Sequence, residues 1–351
     1  MPAQPLQPQD EEDVVPFIPP GCESEEDRPV IPDTLVKVRP YRYRTSKNGW
    51  KHALTSGMET DPALEDEMDE RKPPCTQVRI ITWNVDMVTP HHEERITAAL
   101  RHIAQDVLLC KNLDVVPEPC CILLQEVHKN VMPYLLKNEW LRRWFVVAPY
   151  TPDKWPEDAH YGAVTLVSRS INIAECHILH FGLSSMFRTA LCVKIKLNHP
   201  GSGEKSVVAI VNTHLESLPD GSRARPRQLE MCSRFLRLRG VHGGIVAGDM
   251  NAISEEDATI GKDVGLRDAW RKGNMDAGKT WGYQGQNDGG YPPNRLDKIF
   301  YLPGMGYKVD EPKRIGVGVK VRDGTDEARW VSDHYGLETT LQMLKPRSNS
   351  Q

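Results

Sequence analysis

The stretch Ile81–Asp86 reads ITWNVD, an apolar run that ends in the polar residues Asn84 and Asp86. Four further blocks repeat this arrangement, in which polar side chains accompany an apolar run: LQEV (Leu124–Val127), VVAIVNTHLES (Val207–Ser217), AGDMNA (Ala247–Ala252) and VSDHYG (Val331–Gly336). Strand ends are where α/β folds place their functional sites. We therefore predict that each of these five polar blocks closes a strand and that together they form one site.

Short apolar runs of strand length recur from residue 78 onward. They cover Val78–Trp83, Cys121–Gln125, Phe145–Ala148, Ala163–Ser168, Thr189–Leu197, Val207–Thr213, Gly244–Ala247 and Asp297–Leu302. Glu93–Leu109 and Arg223–Leu238 instead carry apolar residues three to four positions apart, which is typical of amphipathic helices that cover a sheet. So many strands do not fit one doubly wound parallel sheet. We predict an α/β (α+β) protein of two packed mixed β-sheets flanked by helices.

The charge of the chain is uneven. Residues 1–75 contain 16 Asp/Glu and 9 Lys/Arg, a net charge of −7, whereas residues 76–351 carry +3. Low hydrophobicity with many Pro, Asp and Glu is typical of disorder. We therefore predict a disordered acidic arm over 1–75, a catalytic domain over 76–345 and a disordered tail over 346–351.

One segment of the arm differs from the rest. Val36–Leu54 interleaves Arg and Lys with Tyr41, Tyr43 and Trp50. Such a pattern fits a nucleic-acid contact, and it equally fits a strand or linker that docks on the body and covers apolar surface.

Cysteine usage and the N-terminus bear on the compartment. Most of the eight cysteines lie in apolar runs and none forms a CxxC pair, so we expect buried free thiols in a reducing environment. The start MPAQPLQPQDEED is not a signal peptide, and no apolar run approaches the roughly 18 residues that span a bilayer. We expect an intracellular protein of the nucleus or cytoplasm that is neither secreted nor bound to a membrane.

The five polar blocks supply the groups that a metal-dependent phosphoryl site needs. Carboxylates and amide oxygens bind a hard cation, and neutral or cationic donors bind phosphoryl oxygens. The candidates are Asn84, Glu126, His214, Asp249, Asn251, Asp333 and His334. Zinc is disfavoured because the set lacks thiolates. A serine hydrolase is disfavoured because no GxSxG is present.

Each block taken singly also fits a structural role. Asn84 and the segment Asp249–Asn251 fit turns, because Asn and Asp bond to nearby backbone. Glu126 fits a helix cap, and His334 fits a buried structural histidine. The occurrence of all the blocks in one chain, in this order, favours the functional interpretation.

The motifs TWN, LQE, NTHLES, GDMN and SDH, in this order over Arg79–Leu341, resemble the endonuclease/exonuclease/phosphatase superfamily. Within it, TWNVD, LQEV, HLES, RxxQL (Arg225–Leu229), GDMN, RLDKIFY and SDHYGL are most similar to the tyrosyl-DNA phosphodiesterases. The resemblance implies a four-layered α/β/β/α sandwich. It also implies a metal-dependent phosphodiesterase of DNA repair.

The same resemblance implies roles for the metal and the water. Glu126 would be the main ligand of Mg²⁺ or Mn²⁺, with Asn84 beside the ion. Asp249 would orient and deprotonate the attacking water, assisted by Asn251.

For the phosphate, the resemblance implies two histidine donors. His334 would stabilise charge on the phosphoryl oxygens, Asp333 would fix the tautomer of its imidazole, and His214 would be a second donor.

For the substrate, the resemblance implies aromatic walls at Tyr161 and Trp281 and a phosphate contact at Arg188. The two aromatic side chains fit packing in the core equally well. The implied partner is a DNA 5′ end that bears a phosphotyrosyl peptide. We expect a monomer, and the sequence leaves any partner of the arm unknown. Alternatives within the superfamily are an abasic-site endonuclease and a phosphatase of inositol or sphingolipid phosphates. A non-catalytic binding module is the alternative outside enzymes.

Overall fold

The computed structural model describes residues 15–16, 32–53, 55, 74–271, 273, 275–285, 290–322 and 328–346. In chain order the strands are β1 (Val15–Pro16), β2 (Thr34–Val38), β3 (Tyr41–Arg44), β4 (Gly49–His52), β5 (Gln77–Asn84), β6 (Cys120–His128), β7 (Phe145–Ala148), β8 (Tyr161–Ser168), β9 (Asn172–His180), β10 (Thr189–Asn198), β11 (Lys205–His214), β12 (Gly244–Asp249), β13 (Arg267–Asp268), β14 (Asp297–Tyr301), β15 (Tyr307–Val309), β16 (Lys313–Ile315), β17 (Lys320–Arg322), β18 (Ala328–Trp330) and β19 (Gly336–Met343). The helices are α1 (His92–His102), α2 (Met132–Lys137), α3 (Glu139–Trp144), α4 (Ala224–Phe235), α5 (Ile260–Asp263) and α6 (Met275–Gly278), and a π-helical turn over Ile103–Val107 continues α1.

The strands build two large mixed sheets and one hairpin of β17 and β18. The first sheet has the order β1-β2-β9-β10-β11-β12-β14-β13. The second sheet has the order β15-β19-β5-β6-β8-β7-β3-β4, with β16 also paired to β19. Among the described strands, β11 and β12 are the parallel pair of the first sheet, and β5 and β6 are the parallel pair of the second.

Alternation along β11 shows how the layers stack. Val208 and Ile210 lie in the core between the sheets, whereas Ala209 and Val211 pack with the buried face of α4, around Leu229. Successive strand residues point to opposite faces, so β11 is covered on both sides. Helices α1 to α3 bury apolar side chains against the second sheet. The predicted sandwich of two mixed sheets with flanking helices is confirmed.

All eight predicted strands are present, and the two predicted helices correspond to α1 with its π-helical turn and to α4. The last polar block follows the short strand β18, and its residues Asp333 and His334 lie directly before strand β19. Because β19 runs antiparallel to β5, with Leu337 opposite Thr82, its first residues lie beside the last residues of β5. The block therefore reaches the same edge of the sheet from the opposite direction.

The segment 36–54 supplies strands to both sheets over its described part. β2 pairs with β9 in the first sheet, and β3 pairs with β7 in the second. Trp50 of β4 donates its indole N–H to Leu136 O at 3.2 Å. The folded body thus begins before residue 76, because these strands extend its sheets. Residues 1–14, 17–31, 54 and 56–73 of the predicted arm, and 347–351 of the predicted tail, lie outside the described residues.

The cysteines and the lengths of the helices bear on two expectations from the sequence. The seven cysteines in the described ranges are free and buried, as predicted. Across the described ranges, no helix combines the length and apolar character that crossing a membrane requires.

Candidate active site

The two parallel strand pairs end at the same edge of the sandwich. In the second sheet Asn84, the last residue of β5, pairs with Gln125 of β6. In the first sheet His214 ends β11 and pairs with Asp249, which ends β12 and in turn pairs with Asp297 at the start of β14. The strand ends therefore bring side chains distant in sequence to one cleft, although Glu126 lies two residues before the end of β6.

A polar bridge inside the sandwich fixes the two sheets to each other below this cleft. Gln125 Nε2 donates to Asn212 Oδ1 at 2.7 Å, and Asn212 Nδ2 donates to Leu124 O at 3.1 Å. Both side chains are fully buried. Buried amides that bond to each other specify one relative placement of the elements that carry them. The Gln of LQE and the Asn of NTHLES thus align the two halves of the site.

Close approach of β11 and β12 explains the glycine of the GDMN block. Gly248 has φ 145°, and a Cβ atom there would lie 1.8 Å from Thr213 O. Any larger residue would push the two strands apart. The glycine therefore allows Asp249 to lie directly beside His214.

Glu126 reaches the cleft through an irregularity in β6. The pairing of β6 with β8 shifts register between Leu124 and Val127, and Glu126 has φ 57° in the left-handed region. A bulge of this kind redirects one side chain. Its Oε2 accepts from Met87 N at 2.9 Å, and its side chain is 18% exposed, against 2% for Asp249. Glu126 is therefore the more accessible of these two carboxylates.

Asn84 joins carboxylates from both sheets. Its Nδ2 donates to Glu126 Oε1 at 3.0 Å and to Asp249 Oδ2 at 3.1 Å, while its Oδ1 accepts from Asp86 N at 3.0 Å. The amide thus presents its donor side to the cleft. Its assignment as a metal ligand stays a prediction, since the oxygen is bonded to backbone here.

A buried arginine supports this side of the cleft. Arg95 Nη2 donates to Asp86 Oδ2 and to Val85 O, both at 2.9 Å, and its Nη1 donates to Thr89 O at 2.7 Å. These bonds hold the loop that follows β5, from which Met87 N–H contacts Glu126. No signal in the sequence pattern identified Arg95, because its partners are mainly backbone carbonyls.

Asp249 lies between two imidazoles. Its Oδ2 is 3.3 Å from His214 Nε2 and 3.7 Å from His334 Nε2, and its Oδ1 accepts from Asn251 N at 2.9 Å. Burial alone would raise the pKa of Asp249, but the two imidazoles and the Asn251 N–H outweigh burial and hold this pKa below its ordinary value. Asp249 is therefore an anion at neutral pH.

His334 is oriented by Asp297, and the prediction that Asp333 has this role was wrong. His334 Nδ1 lies 2.8 Å from Asp297 Oδ2, whereas Asp333 Oδ2 accepts from the indole N–H of Trp281 at 2.9 Å. The reason is topological, since β14 neighbours β12 and places Asp297 behind the imidazole. Burial lowers the pKa of His334, but the nearby carboxylates, Asp297 foremost, raise it well above its ordinary value.

His214 is held as one tautomer by Arg188. Arg188 Nη1 lies 2.7 Å from His214 Nδ1. Because a guanidinium only donates, Nδ1 accepts and the ring proton belongs on Nε2, which faces Asp249. The guanidinium also lies 5.5 Å from the centroid of the Tyr161 ring. Arg188 and Tyr161, both predicted substrate residues, therefore adjoin the cleft through His214.

The remaining predicted residues have partners of their own. Asn251 Nδ2 donates to Leu215 O at 2.9 Å, and its Oδ1 accepts from Ser217 Oγ at 3.1 Å, so this amide links two loops. Trp281 is half-buried and bonded to Asp333. Burial chiefly, with the neighbouring carboxylates, raises the pKa of Asp333 to about 6.

The donor set suits a divalent cation that prefers oxygen. Ligand atoms of Asp249, Asp297 and His334, all buried, lie within 4.8 Å of one another. Two carboxylates with one imidazole fit such an ion. A cation inside this cluster would have to replace the proton between His334 and Asp297, whereas the carboxylate of Glu126 is more accessible. The site therefore offers two positions for a metal, one deep and one at Glu126.

Proteins of named activity are similar to this chain in sequence. A 5′-tyrosyl-DNA phosphodiesterase of Caenorhabditis briggsae is 30% identical over 234 residues, which cover 64% of this chain and 59% of the relative. Tyrosyl-DNA phosphodiesterase 2 of Gallus gallus is 23% identical over 271 residues, covering 74% of this chain and 65% of the relative. The chain thus spans about three fifths of the length of the Caenorhabditis relatives it matches.

The fold itself matches known structures. A crystal structure of tyrosyl-DNA phosphodiesterase 2 from D. rerio with a single-strand DNA product has a TM-score of 0.59 at 22% identity, covering 76% of this chain and 100% of that one. The truncated protein of Caenorhabditis elegans has a TM-score of 0.56 at 22% identity, covering 76% and 97%. The predicted similarity to tyrosyl-DNA phosphodiesterase 2 is confirmed. Residues 81–334, which contain the five polar blocks except the last two positions, match the family pattern, and the chain belongs to the Endonuclease/Exonuclease/phosphatase family.

Proposed function

We propose that this protein is a Mg²⁺-dependent phosphodiesterase that hydrolyses the 5′-phosphotyrosyl bond between DNA and a trapped topoisomerase fragment. The observation that carries the proposal is the anionic Asp249 between two imidazoles, joined through Asn84 to Glu126. The similarity to proteins named tyrosyl-DNA phosphodiesterase supports the choice of substrate.

The proposed reaction is a direct attack of water on phosphorus. Asp249 accepts a hydrogen bond from the water and takes its proton as the new P–O bond forms. The bond from phosphorus to the tyrosyl oxygen breaks with its electron pair on that oxygen, so the tyrosine leaves as a phenolate and the DNA retains a 5′-phosphate. No covalent intermediate with the enzyme is involved.

Charge on the phosphoryl oxygens is stabilised by donors fixed before the reaction. His334, protonated because carboxylates surround it, donates from Nε2. His214 is the second proposed donor, through the Nε2–H that also faces Asp249. Glu126 would hold the metal, with Asn84 beside it. When bound, Mg²⁺ supplies charge stabilisation at the phosphoryl group and lowers the pKa of bound water.

A substrate panel with one matched pair of variants tests the proposal. The wild type should turn over a 5′-phosphotyrosyl oligonucleotide with a higher kcat/KM than abasic DNA, an inositol phosphate or a chromogenic mononucleotide ester. Glu126→Gln keeps the shape and removes the charge, so activity should fall strongly with the fold intact. Glu204→Gln, in the exposed hairpin at the other end of β11, should behave as wild type.

Two results would contradict the proposal. Preference for abasic DNA or an inositol phosphate would still fit the family but would contradict the proposed 5′-phosphotyrosyl substrate. Undiminished turnover by Glu126→Gln at saturating Mg²⁺ would remove Glu126 from the metal site.

Binding to DNA, as distinct from a small ester, should depend on salt. Residues 76–351 carry a net charge of +3, and cationic contacts to several phosphates release counterions. Affinity for a single-stranded 5′ end should therefore fall steeply between about 50 and 200 mM salt. Fluorescence anisotropy with a labelled oligonucleotide measures this slope, and a flat response would argue against an extended DNA contact.

A further inference from the structure

The RxxQL motif (Arg225–Leu229) has no part in the proposed reaction, yet two of its side chains are fully buried polar groups. Arg225 and Gln228 are each 0% exposed. They lie one turn apart on α4, so they project from the same face of the helix. Leu229, beside them, is fully buried in the apolar layer between α4 and the first sheet. The motif therefore anchors α4 and directs two polar side chains towards the loops of the site.

Arg225 ties together the loops that follow His214 and Asp249. Its Nε and Nη2 bind both carboxylate oxygens of Asp257, at 2.7 and 2.9 Å, and its Nη1 donates to Leu218 O at 2.8 Å. Asp257 Oδ2 in turn accepts from the backbone N–H of Ile253 at 3.1 Å and of Ser254 at 3.0 Å. One ion pair thus connects residues 215–218 after β11 to residues 253–257 after β12.

Gln228 extends the connection to the loop that carries Arg188. Its Oε1 accepts from Glu216 N at 2.8 Å, and its Nε2 donates to Glu216 Oε2 at 3.1 Å and to Leu183 O at 2.9 Å. The other oxygen of Glu216 accepts from Ser185 N at 2.9 Å. Three loops of the first sheet that border the cleft, those after β9, β11 and β12, are therefore bonded to one face of α4.

The loops joined in this way contain residues in unfavourable backbone conformations. Leu218 has φ 62° and Asn251 has φ 46°, both in the positive region that non-glycine residues avoid. Such conformations persist where surrounding bonds fix them. Asn251, whose N–H contacts Asp249, lies between the two loops and bonds to Leu215 and Ser217. The loops therefore need an external support to keep their spacing.

A buried ion pair is poorly suited to a purely stabilising role. Its desolvation offsets much of its attraction, and apolar residues of similar volume often stabilise a fold as well or better. A bidentate pair of Arg and Asp, however, fixes distance and angle. The side chains of Arg225 and Asp257 are 0% and 2% exposed, so water does not compete for the hydrogen bonds between them.

We propose that the Arg225–Asp257 pair is a positioning element that sets the placement of His214 and Asn251 around Asp249. It contacts no reacting atom and acts through the two loops. Its effect on rate rests on the proposed phosphodiester hydrolysis. Its effect on the loops does not depend on that function.

The test replaces the pair by apolar residues, with Arg225→Met and Asp257→Leu in one double variant. The core should accept the change, so the melting temperature should stay within about 5 °C of wild type. Because small displacements of catalytic groups are costly, kcat should still fall at least about tenfold, with KM nearly unchanged. The single variant Asp257→Leu leaves Arg225 unpaired and should melt lowest.

A matched control uses an ion pair away from the site. Arg79 and Glu338 pair between β5 and β19 near the far end of β5, and replacing them by Met and Leu should leave kcat unchanged. Retention of wild-type kcat by the stable Arg225/Asp257 double variant would overturn the proposal.

Hydrogen exchange provides a readout that needs no substrate. In the double variant, amides of residues 215–218 and 253–257 should exchange faster, while those of β11 keep their protection. Uniform acceleration across the domain would indicate a role in stability alone and would overturn the proposal. Should the wild type hydrolyse no phosphodiester, the proposed function fails, and the exchange pattern still decides the role of the pair.

Discussion

The two sheets contribute unlike halves to the cleft. The half from the second sheet presents Glu126, placed by a bulge and 18% exposed, with Asn84 as a donor. The half from the first sheet presents Asp249 and Asp297, both almost fully buried and each beside an imidazole. The more accessible carboxylate of Glu126 suits a hydrated cation, and the buried carboxylates of Asp249 and Asp297, each beside an imidazole, suit the control of protons. Burial, more than residue type, therefore distinguishes the carboxylate suited to a metal from the two carboxylates suited to proton control.

The largest effect should come from the buried half, at Asp249. Asp249→Asn removes the anion between the two imidazoles, so the proposed reaction loses the base that takes the proton of the water. We expect kcat to fall by at least about a hundred- to a thousand-fold, with substrate binding retained. Single-turnover rates with binding measured separately test this prediction. Asp114→Asn, at an exposed carboxylate outside the cleft, is the matched control.

The next effect distinguishes the two acids near His334. Because Asp297 bonds to Nδ1, Asp297→Asn should disturb the proton of the imidazole and lower kcat by about a hundredfold or more. Asp333→Asn should cost clearly less, since Asp333 bonds to Trp281. His334→Ala sets the limit for both, and His242→Ala, at an exposed histidine, is its control. Equal losses of kcat in Asp297→Asn and Asp333→Asn would contradict the assignment of Asp297 as the residue that orients His334.

A smaller effect is expected at Trp281. Stacking of a base on an aromatic ring contributes roughly 1–3 kcal/mol, so Trp281→Ala should weaken processing of an oligonucleotide by about ten- to a hundredfold. Hydrolysis of a chromogenic mononucleotide ester should change little. Trp281→Phe retains a ring and loses the N–H that bonds to Asp333, so it separates stacking from this hydrogen bond. Equal loss on both substrates would place Trp281 with the catalytic groups.

The smallest effect is expected outside both halves. Deleting residues 1–30 removes β1, a two-residue strand at the edge of the first sheet, and no site residue. Specific activity on a short substrate should not change. A loss of activity at unchanged melting temperature would assign the arm a role in the reaction.

Local patterns in the sequence predicted many of the strands. The features that depend on pairing between distant segments could not be predicted in this way. Apolar runs located β5, β6, β11 and β12 because their interior residues are covered on both faces. Strand β19 was missed because Glu338, Thr340 and Gln342 interrupt its apolar residues in alternation. That alternation is itself a strand signal for a half-buried strand.

Pairing between distant segments also determines part of the site. Its members were identified because polar residues follow apolar runs, but Asp297 stands at the beginning of a run and gave no such signal. Its partner His334 is distant in sequence, so only the order of strands brings them together. The bulge at Glu126 is likewise a property of pairing with β8, which the sequence of β6 alone does not contain.

The most direct test of the central claim is hydrolysis of a 5′-phosphotyrosyl oligonucleotide in ¹⁸O-labelled water, with Mg²⁺ removed by a chelator and then restored. We predict no turnover without the ion and recovery with it. Under single-turnover conditions the label should enter the 5′-phosphate of the DNA and be absent from the released tyrosine. Turnover that persists without a divalent cation, or label in the tyrosine, would contradict metal-dependent attack of water on phosphorus.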